Sequence, residues 1–394
     1  MSVTAAPHPV HHRRPRIAVV GPVYPYRAGI AYCTTRLAEE LGTDCDVMIS
    51  SFRRQYPKRY YPGGEDIDDS LRSRTPANAR FALDVLNPIS WIMEAVAIRR
   101  WQPDVVLFVW WIWVWALPYI IMRNLIDPRS RVLFQCHNVG EKETSWWKRL
   151  LGRQAIELAD AIIVHARSEE DLARERSGSS VPTIHRLFLP VHELGTGVVS
   201  RAEARAKLGF DAKDRVALFF GHVRPFKGLD VAMRAWRLLR TPAILAVAGE
   251  FWWDELSSYR KIARDEGIEQ RLRIDPRFIP DDEIALWFGA ADVVVAPYRT
   301  EAQSGVVLTA FHFGRPVVAS AVGGLPEIVR EGVNGFLVPP EDPEALAAAV
   351  DRFFTSADRS AMEASARESA GKYSWLEYGS AVKAIAASGA GSSK

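Results

Sequence analysis

The chain has 394 residues, too many for one typical domain and a natural length for two of roughly 190 each. With 48% hydrophobic and 25% charged residues it is globular rather than disordered. The net charge of +3 argues against nucleic acid as the main partner, yet it is unevenly spread: 25 basic and 20 acidic residues lie up to Pro190, against 25 and 27 beyond it. The first half is therefore the one suited to an anionic surface.

In chain order, residues 1–14 form an arm with His8, His11 and His12 that lacks the apolar core of a signal peptide; it is expected to be disordered and not a metal site. RIAVVG (16–21) reads as a first strand, closed by a loop rich in Gly, Pro and Tyr. Apolar Ile30, Leu37 and Leu41 then give a core face to a helix over 29–41. Further strands are expected at 46–51, 104–109 and 131–135, the last ending at His137-Asn138. A histidine at a strand end suits a hydrogen-bond donor or weak base, and equally a structural cap. Strand and helix alternate, which predicts parallel sheets with ligands at the carboxyl ends of strands. The three cysteines, Cys33, Cys45 and Cys136, are odd in number and lack metal-ligand spacing, so a reduced, cytoplasmic chain without a metal centre is expected.

Two segments of the first half are unusual. SFRRQYPKRYYPG (51–63) alternates Arg53, Arg54, Lys58 and Arg59 with Tyr56, Tyr60 and Tyr61, a mixture suited to anionic head groups or an acceptor pyrophosphate, or simply to an exposed loop. Residues 105–122, VVLFVWWIWVWALPYIIM, carry no charge and just meet the length of a membrane span. Against spanning stand the strand that opens the segment, the interruption at Pro118, and the cluster Trp110, Trp111, Trp113 and Trp115, which suits an interface better than hydrocarbon. Burial under a helix and a membrane-facing or acceptor surface are the other readings.

The pattern breaks over 191–200, where a linker is placed; a second domain is expected over 201–372, with residues 373–394 as a final helix and tail. In VALFFGHVRPFKGLDVAMRAW (216–236) a buried strand ends at Gly221, Arg224 and Lys227 follow, and a helix begins. Two cations at the carboxyl end of a strand suit a diphosphate. In PYRTEAQSGVVLTAFHFGRPVVASAVGGLP (297–326) the carboxylate of Glu301 precedes Ser304-Gly305 and a helix-like run. Bare amides of Gly305 and Val306 at a helix start suit a phosphate, and a carboxylate beside it suits sugar hydroxyls. Together these features indicate a nucleotide-sugar site.

From about residue 215 to 378 the chain resembles the donor-binding half of glycosyltransferase family 4, through FFGHVRPFKGLD, LAVAGE, FIPDDEIALWFGAADVVVAPYRTE, FGRPVVASAVGGLPEIVREGVNGFLVPPEDPEAL and YSW in the family's order. The first half matches more loosely, through GPVYPYRAGIAYCTTRLAEEL and VLFQCHN. The resemblance implies an α/β, GT-B fold: two Rossmann-like domains facing each other across a cleft, 15–190 on the acceptor side and the second on the donor side, with the last helix crossing back. It implies retaining transfer of a sugar of the hexose class from a nucleotide-diphosphate sugar to an acceptor, with no cofactor; the basic-aromatic loop 51–63 and the Trp cluster point to a lipid-linked or cell-envelope glycan acceptor and to a peripheral place at the inner face of the membrane. It assigns His137 to the substrate, and Gly29, Gly221, Ser304, Gly305, Val306 and Thr309 to the donor. Charge on the leaving phosphate would be met by Lys227, Arg224 and the Gly305 and Val306 amides, while Glu301 orients the sugar; Arg27 would touch phosphate or acceptor. Arg53, Arg54, Tyr56, Lys58, Arg59, Trp110, Trp111 and Trp113 are the acceptor or membrane candidates.

Two positions depart from the family pattern. Thr309 stands where a second glutamate would hold the nucleotide ribose, and His222 stands where an arginine is usual. They keep open a binding protein that has lost its chemistry. A sugar-nucleotide epimerase is the other alternative, although GPVYPYRAGIAY and the Trp-rich segment speak for a separate acceptor. His165, His185, His192 and His312 are read as structural.

Overall fold

The computed structural model describes residues 13–27, 29–57, 66–139, 145–176, 182–195, 199–252 and 255–388. The first domain runs β1 (Arg16–Val20), α1 (Gly29–Gly42), β2 (Asp46–Arg54), β3 (Ala79–Asp84), α2 (Pro88–Trp101), β4 (Val105–Trp110), α3 (Ala116–Leu125), β5 (Arg131–Cys136), α4 (Trp146–Glu157), β6 (Ala161–Val164), α5 (Arg167–Arg176) and β7 (Thr183–Arg186). Among the described residues its seven strands are all parallel, in the order β3-β2-β1-β4-β5-β6-β7. Helices cover both faces, so central strands are apolar on both sides: every residue of VVLFVW in β4 is buried.

The second domain runs α6 (Arg201–Leu208), β8 (Val216–Phe220), α7 (Leu229–Leu238), β9 (Ile244–Ala248), α8 (Glu255–Asp265), β10 (Leu272–Asp275), α9 (Asp281–Ala290), β11 (Val293–Ala296), α10 (Gly305–His312), β12 (Val317–Ser320), α11 (Leu325–Ile328), β13 (Gly335–Val338), α12 (Pro343–Thr355) and α13 (Arg359–Gly371). Its parallel order is β10-β9-β8-β11-β12-β13. In both sheets the order reverses beside the first strand, at β1/β4 and β8/β11. Crevices open at such points beyond the carboxyl ends of the strands.

The helix ends follow local chemistry. Asn87 and Asp342 cap helices that open with Pro88 and Pro343, and Ser200 and Ser374 begin S-x-x-E capping boxes for α6 and for α14 (Trp375–Ala387). Helix α14 returns to the first domain. Gln135 Nε2 donates to Tyr378 Oη at 2.9 Å, Lys383 pairs with Asp44, and a Cβ on Gly379 would lie 2.9 Å from Glu40 Cβ, so α1 and α14 touch nearly backbone to backbone. Trp375 Nε1 donates to Val191 O at 3.0 Å, and Val191 N donates to Tyr373 O at 2.8 Å, which ties the segment between β7 and α6 to the same helix.

The cleft is clasped on two sides. Arg74 meets Asp281 at 2.8 Å at one edge; at the other Arg186 meets Glu327 at 3.0 Å and Gln303 Nε2 donates to His165 O at 2.9 Å. The two domains thus face each other across a cleft, with the last helix crossing back, as the resemblance implied.

The uncharged segment 105–122 is divided by the fold. It becomes β4, a short turn of 3-10 helix at Trp113–Trp115, and most of α3. Among the described residues no helix is long and apolar enough to cross a membrane.

Candidate active site

Between the domains lies a cavity of about 340 Å3, bounded by Tyr24, Gly29 and Tyr32 of the first domain and by Gly221, Arg224, Lys227, Gly249, Glu301, Gly305 and Val306 of the second. The amino termini of α1, α7 and α10 converge on it. Their first amides have no intrahelical acceptors and carry partial positive charge. Ser304 Oγ caps α10 by accepting from Val307 N at 3.4 Å. This leaves the Gly305 and Val306 amides, just before Val307, without an intrahelical acceptor.

Backbone approach is close enough to demand glycine. A Cβ on Gly228 (φ +70°) would sit 2.0 Å from Pro297 O, and one on Gly249 (φ +156°) 1.9 Å from Gly221 O. The loops after β8, β9 and β11 are thereby pressed together, and this brings Lys227 to Glu301. Lys227 Nζ donates to Glu301 Oε2 at 3.0 Å and stands 4.1 Å from the Tyr298 ring centre; both charged side chains are 15% exposed. Burial pushes the pKa of the Lys227 ammonium down, but Glu301 and Tyr298 outweigh it and hold it above the ordinary lysine range. The pair therefore sets a positive and a negative charge side by side in a cavity wall to which Arg224, Glu250 and Asp281 also belong.

Arg224 lies over Trp252, with Cζ 3.5 Å from the ring centre. It borders both this cavity and a second one of about 360 Å3, shared with Arg27, Tyr56, Trp111 and His137. Trp111 Nε1 donates to Tyr56 Oη at 2.6 Å, and the guanidinium of Arg27 lies 4.4 Å from the ring centre of Phe278 across the cleft. Burial first, then His165 and His192, pull the His137 pKa well down, and its Nε2 has no hydrogen-bond partner among the described residues. The fold thus gathers Arg224, Lys227 and Glu301 in one cavity and puts His137 in the adjoining one.

Several expectations change. Ser304 is a helix cap beneath the cavity wall rather than part of it. Thr309 borders the cavity, but its hydroxyl donates to Gly305 O at 2.8 Å, one turn back in α10. Trp110 is 1% exposed against Phe134 and Tyr119, and Trp115 is buried on Phe52. Trp110 is therefore a core residue and not an acceptor or membrane contact, because its strand is covered by α3. Trp113 is half-buried, edge-on to Trp147 at 5.0 Å. Arg53 and Arg54 are exposed but lie 3.7 and 3.4 Å from Asp84. Lys58 and Arg59, with Tyr60 and Tyr61, lie outside the described residues, as do residues 1–12.

The site also holds residues that the sequence reading did not assign to it, among them His192, which was read as structural. Arg299 makes a two-pronged contact with Asp230 at 2.9 and 2.8 Å and fixes the Lys227 loop to the Glu301 loop. Glu250 lies 3.4 Å from His222 Nε2. His192, in the segment between the domains, lines the cavity wall. The Gly249-Glu250 pair was readable as a strand-end glycine in LAVAGE; Arg299 and His192 gave no local signal.

Residues 214–356, which supply the cations, the glycine contacts and Glu301, match the family model described as "Glycosyl transferases group 1". Over this stretch the chain is similar to the group 1 glycosyl transferases. Similar relatives include D-inositol 3-phosphate glycosyltransferases from Streptomyces griseus, 36% identical over 58% of this chain and 49% of that protein, and from Catenulispora acidiphila, 33% identical over 60% of each. The chain thus spans about half to three fifths of the length of these relatives. In three dimensions it is similar to sucrose-phosphate synthase from Thermosynechococcus elongatus (TM-score 0.73, 20% identity, 94% of this chain and 98% of that one). It is also similar to Anabaena HepE in complex with UDP-glucose (TM-score 0.74, 16% identity, again 94% and 98%). The chain therefore has the GT-B fold.

Proposed function

We propose that the protein transfers a sugar, with retention of anomeric configuration, from a nucleotide-diphosphate sugar to a lipid-linked or cell-envelope glycan acceptor. One observation carries this reading: the paired Lys227 ammonium and Glu301 carboxylate in a cleft on which three helix amino termini converge. A diphosphate against the Gly305 and Val306 amides would place its outer phosphate within reach of Lys227 and Arg224. As the bond from anomeric carbon to phosphate oxygen breaks, charge grows on that phosphate, and preorganised cations and amides lower the barrier without reorganising. In this reading the protein's own cations, rather than a metal, meet the charge. Glu301 accepts hydrogen bonds from donor sugar hydroxyls. The leaving phosphate takes the acceptor's proton on the same face, so no enzymic nucleophile is called for. Clasped domains keep water from the donor.

The acceptor half of the proposal rests on the second cavity and on the rim beside it. Aromatic walls at Trp111, Tyr56 and Trp252 suit the apolar faces of sugar rings. Helices α2, α3 and α4 pack side by side, each beginning at the cleft end of the first sheet. Their amino-terminal turns expose Ile89, Met93, Leu117, Trp146 and Trp147, with Trp146 70% and Met93 68% accessible. Lys148 and Arg149 stand among them. Such a rim of apolar and basic side chains suits the anionic face of a membrane carrying a lipid-linked acceptor. One observation favours a weakened, binding-only protein: Thr309 offers no carboxylate and spends its hydroxyl proton on Gly305 O.

The test is to incubate the purified chain with UDP-, GDP- and ADP-sugars and follow nucleotide release with and without membrane extract. Release that depends on the extract supports transfer, and release without it indicates an acceptor-independent reaction on the donor. Binding with no release in either condition supports the weakened reading and sinks the enzymic one.

A further inference from the structure

His192 belongs to neither sheet. It lies in the segment between β7 and α6, and its ring sits between the amino termini of helices from opposite domains. A Cβ built on Gly305, the first residue of α10, would fall 2.3 Å from His192 Cε1 and 2.5 Å from Nδ1; one on Gly29, the first residue of α1, would fall 3.0 Å from Cε1. Gly305 is thus needed to seat this ring, and Gly29 packs tightly against it. His192 is 6% exposed and still forms part of the wall of the 340 Å3 cavity, between the amino termini of helices from opposite domains.

The other edge of the ring meets a thiol. Nε2 lies 3.2 Å from Cys33 Sγ. Burial raises the Cys33 thiol pKa far above its usual range, so the thiol keeps its proton and can donate it to Nε2. Burial also pulls the His192 pKa down to about 4, so the imidazole is neutral near pH 7. A neutral imidazole that accepts at Nε2 carries its proton on Nδ1. That N–H lies against Gly305 and has no hydrogen-bond partner among the described residues. The Tyr32 ring, 4.9 Å away, and the Tyr32 hydroxyl, which accepts from Glu193 N at 2.9 Å, hold the ring and its chain segment in place.

We propose that His192 is a direct ligand of the donor diphosphate, donating from Nδ1–H to a phosphate oxygen held at the Gly305 amide. This rests on the donor-site reading above and adds a residue to it that neither domain supplies. Because the ring touches the first residue of a helix from each domain, the contact also ties diphosphate binding to the closed arrangement of the cleft.

Asparagine places its side-chain NH2 close to where Nδ1 stands, whereas glutamine reaches the position of Nε2. Calorimetric titration with UDP-glucose, GDP-mannose and ADP-glucose identifies the tightest of the three probes. That probe, its nucleoside diphosphate and its nucleoside monophosphate are then titrated into His192→Asn and His192→Gln. A lost hydrogen bond to a charged oxygen corresponds to a roughly tenfold to hundredfold loss of affinity. That loss is expected in His192→Gln for both diphosphate ligands, with the monophosphate changed by less than about threefold, while His192→Asn retains most of the affinity. A second variant, Cys33→Val, removes the donor to Nε2 and should weaken diphosphate binding severalfold with the histidine in place. The proposal is overturned if Asn is as damaging as Gln, or if the monophosphate suffers the same loss, because the ring would then be structural. If the wild-type chain binds none of the three probes, the donor-site reading fails and this inference fails with it.

Discussion

Replacing Lys227 by alanine tests the proposed chemistry most directly. The ammonium is 3.0 Å from Glu301 Oε2, and the two side chains have only 15% of their surface in solvent. Two effects follow from its removal. The leaving phosphate loses a preorganised charge, a loss of about 2–4 kcal/mol of transition-state stabilisation, which lowers turnover roughly 30- to 1000-fold. Glu301 also loses this ion pair, and its negative charge is then less compensated as the diphosphate arrives. At a separation of roughly 5 Å and an effective dielectric of about 20, that repulsion is about 3 kcal/mol, so donor affinity falls as well. The two effects separate in the double variant Lys227→Ala/Glu301→Gln, which removes the repulsion but restores no cation. Its donor affinity should recover substantially relative to Lys227→Ala, while its turnover stays low. Nucleotide release gives turnover, calorimetry gives affinity, and a thermal melt excludes unfolding. Because the pair keeps some solvent contact, the stability loss should fall below the roughly 3–5 kcal/mol of breaking a dry ion pair. A Lys227→Ala variant with turnover within about threefold of wild type and unchanged donor affinity would refute the placement of the leaving phosphate.

Glu301→Gln should reduce turnover at least tenfold (~1.4 kcal/mol) and Thr309→Ala only slightly, since the Thr309 hydroxyl is already committed to Gly305 O; equal damage in steady-state assays would reverse that ranking. Thr309→Glu, which restores the family pattern, should bring little gain in the same assay. His165 and His192 are buried, with pKa values pulled down to about 4, while the unfolded chain titrates near 6.5. The unfolded state therefore binds more protons below that value, and each residue should remove up to ~1.4 kcal/mol of stability per pH unit as pH falls from about 6.5 to 4. Denaturant melts across that window should show a shallower loss in His165→Gln than in wild type, and parallel curves would contradict the shift. Binding to anionic vesicles should fade with added salt and fall further in Trp146→Ser/Trp147→Ser; failure to float with vesicles at low ionic strength would remove the membrane from the reading.

Which elements form, and which cavity residues share a site, were settled at different levels. The runs RIAVV, VALFF and VVVA must lie flat between two helix layers, because strands this apolar cannot present either face to water. Lys227 and Glu301 were legible because each follows a strand by a few residues, and parallel strands deliver such residues to one edge. Tryptophans 110 to 115 misled because composition cannot show which face a helix will cover: Trp110 and Trp115 lie under α3, and the exposed aromatics are on α4, at Trp146 and Trp147. Thr309 occupied a site position, but only the helix geometry decided that its hydroxyl turns to Gly305 O. His192 sits in a segment with no period and no motif. Its place at the cavity depends on α14 pinning Val191, on Cys33 one turn inside α1, and on glycines 29 and 305 from opposite domains. Local sequence determines the elements and what their strand ends carry, because hydrophobic period and turn chemistry act over a few residues. Contacts among residues more than a hundred positions apart, such as Cys33, His192 and Gly305, are decided only when both domains pack, because no local preference encodes where the partners will be.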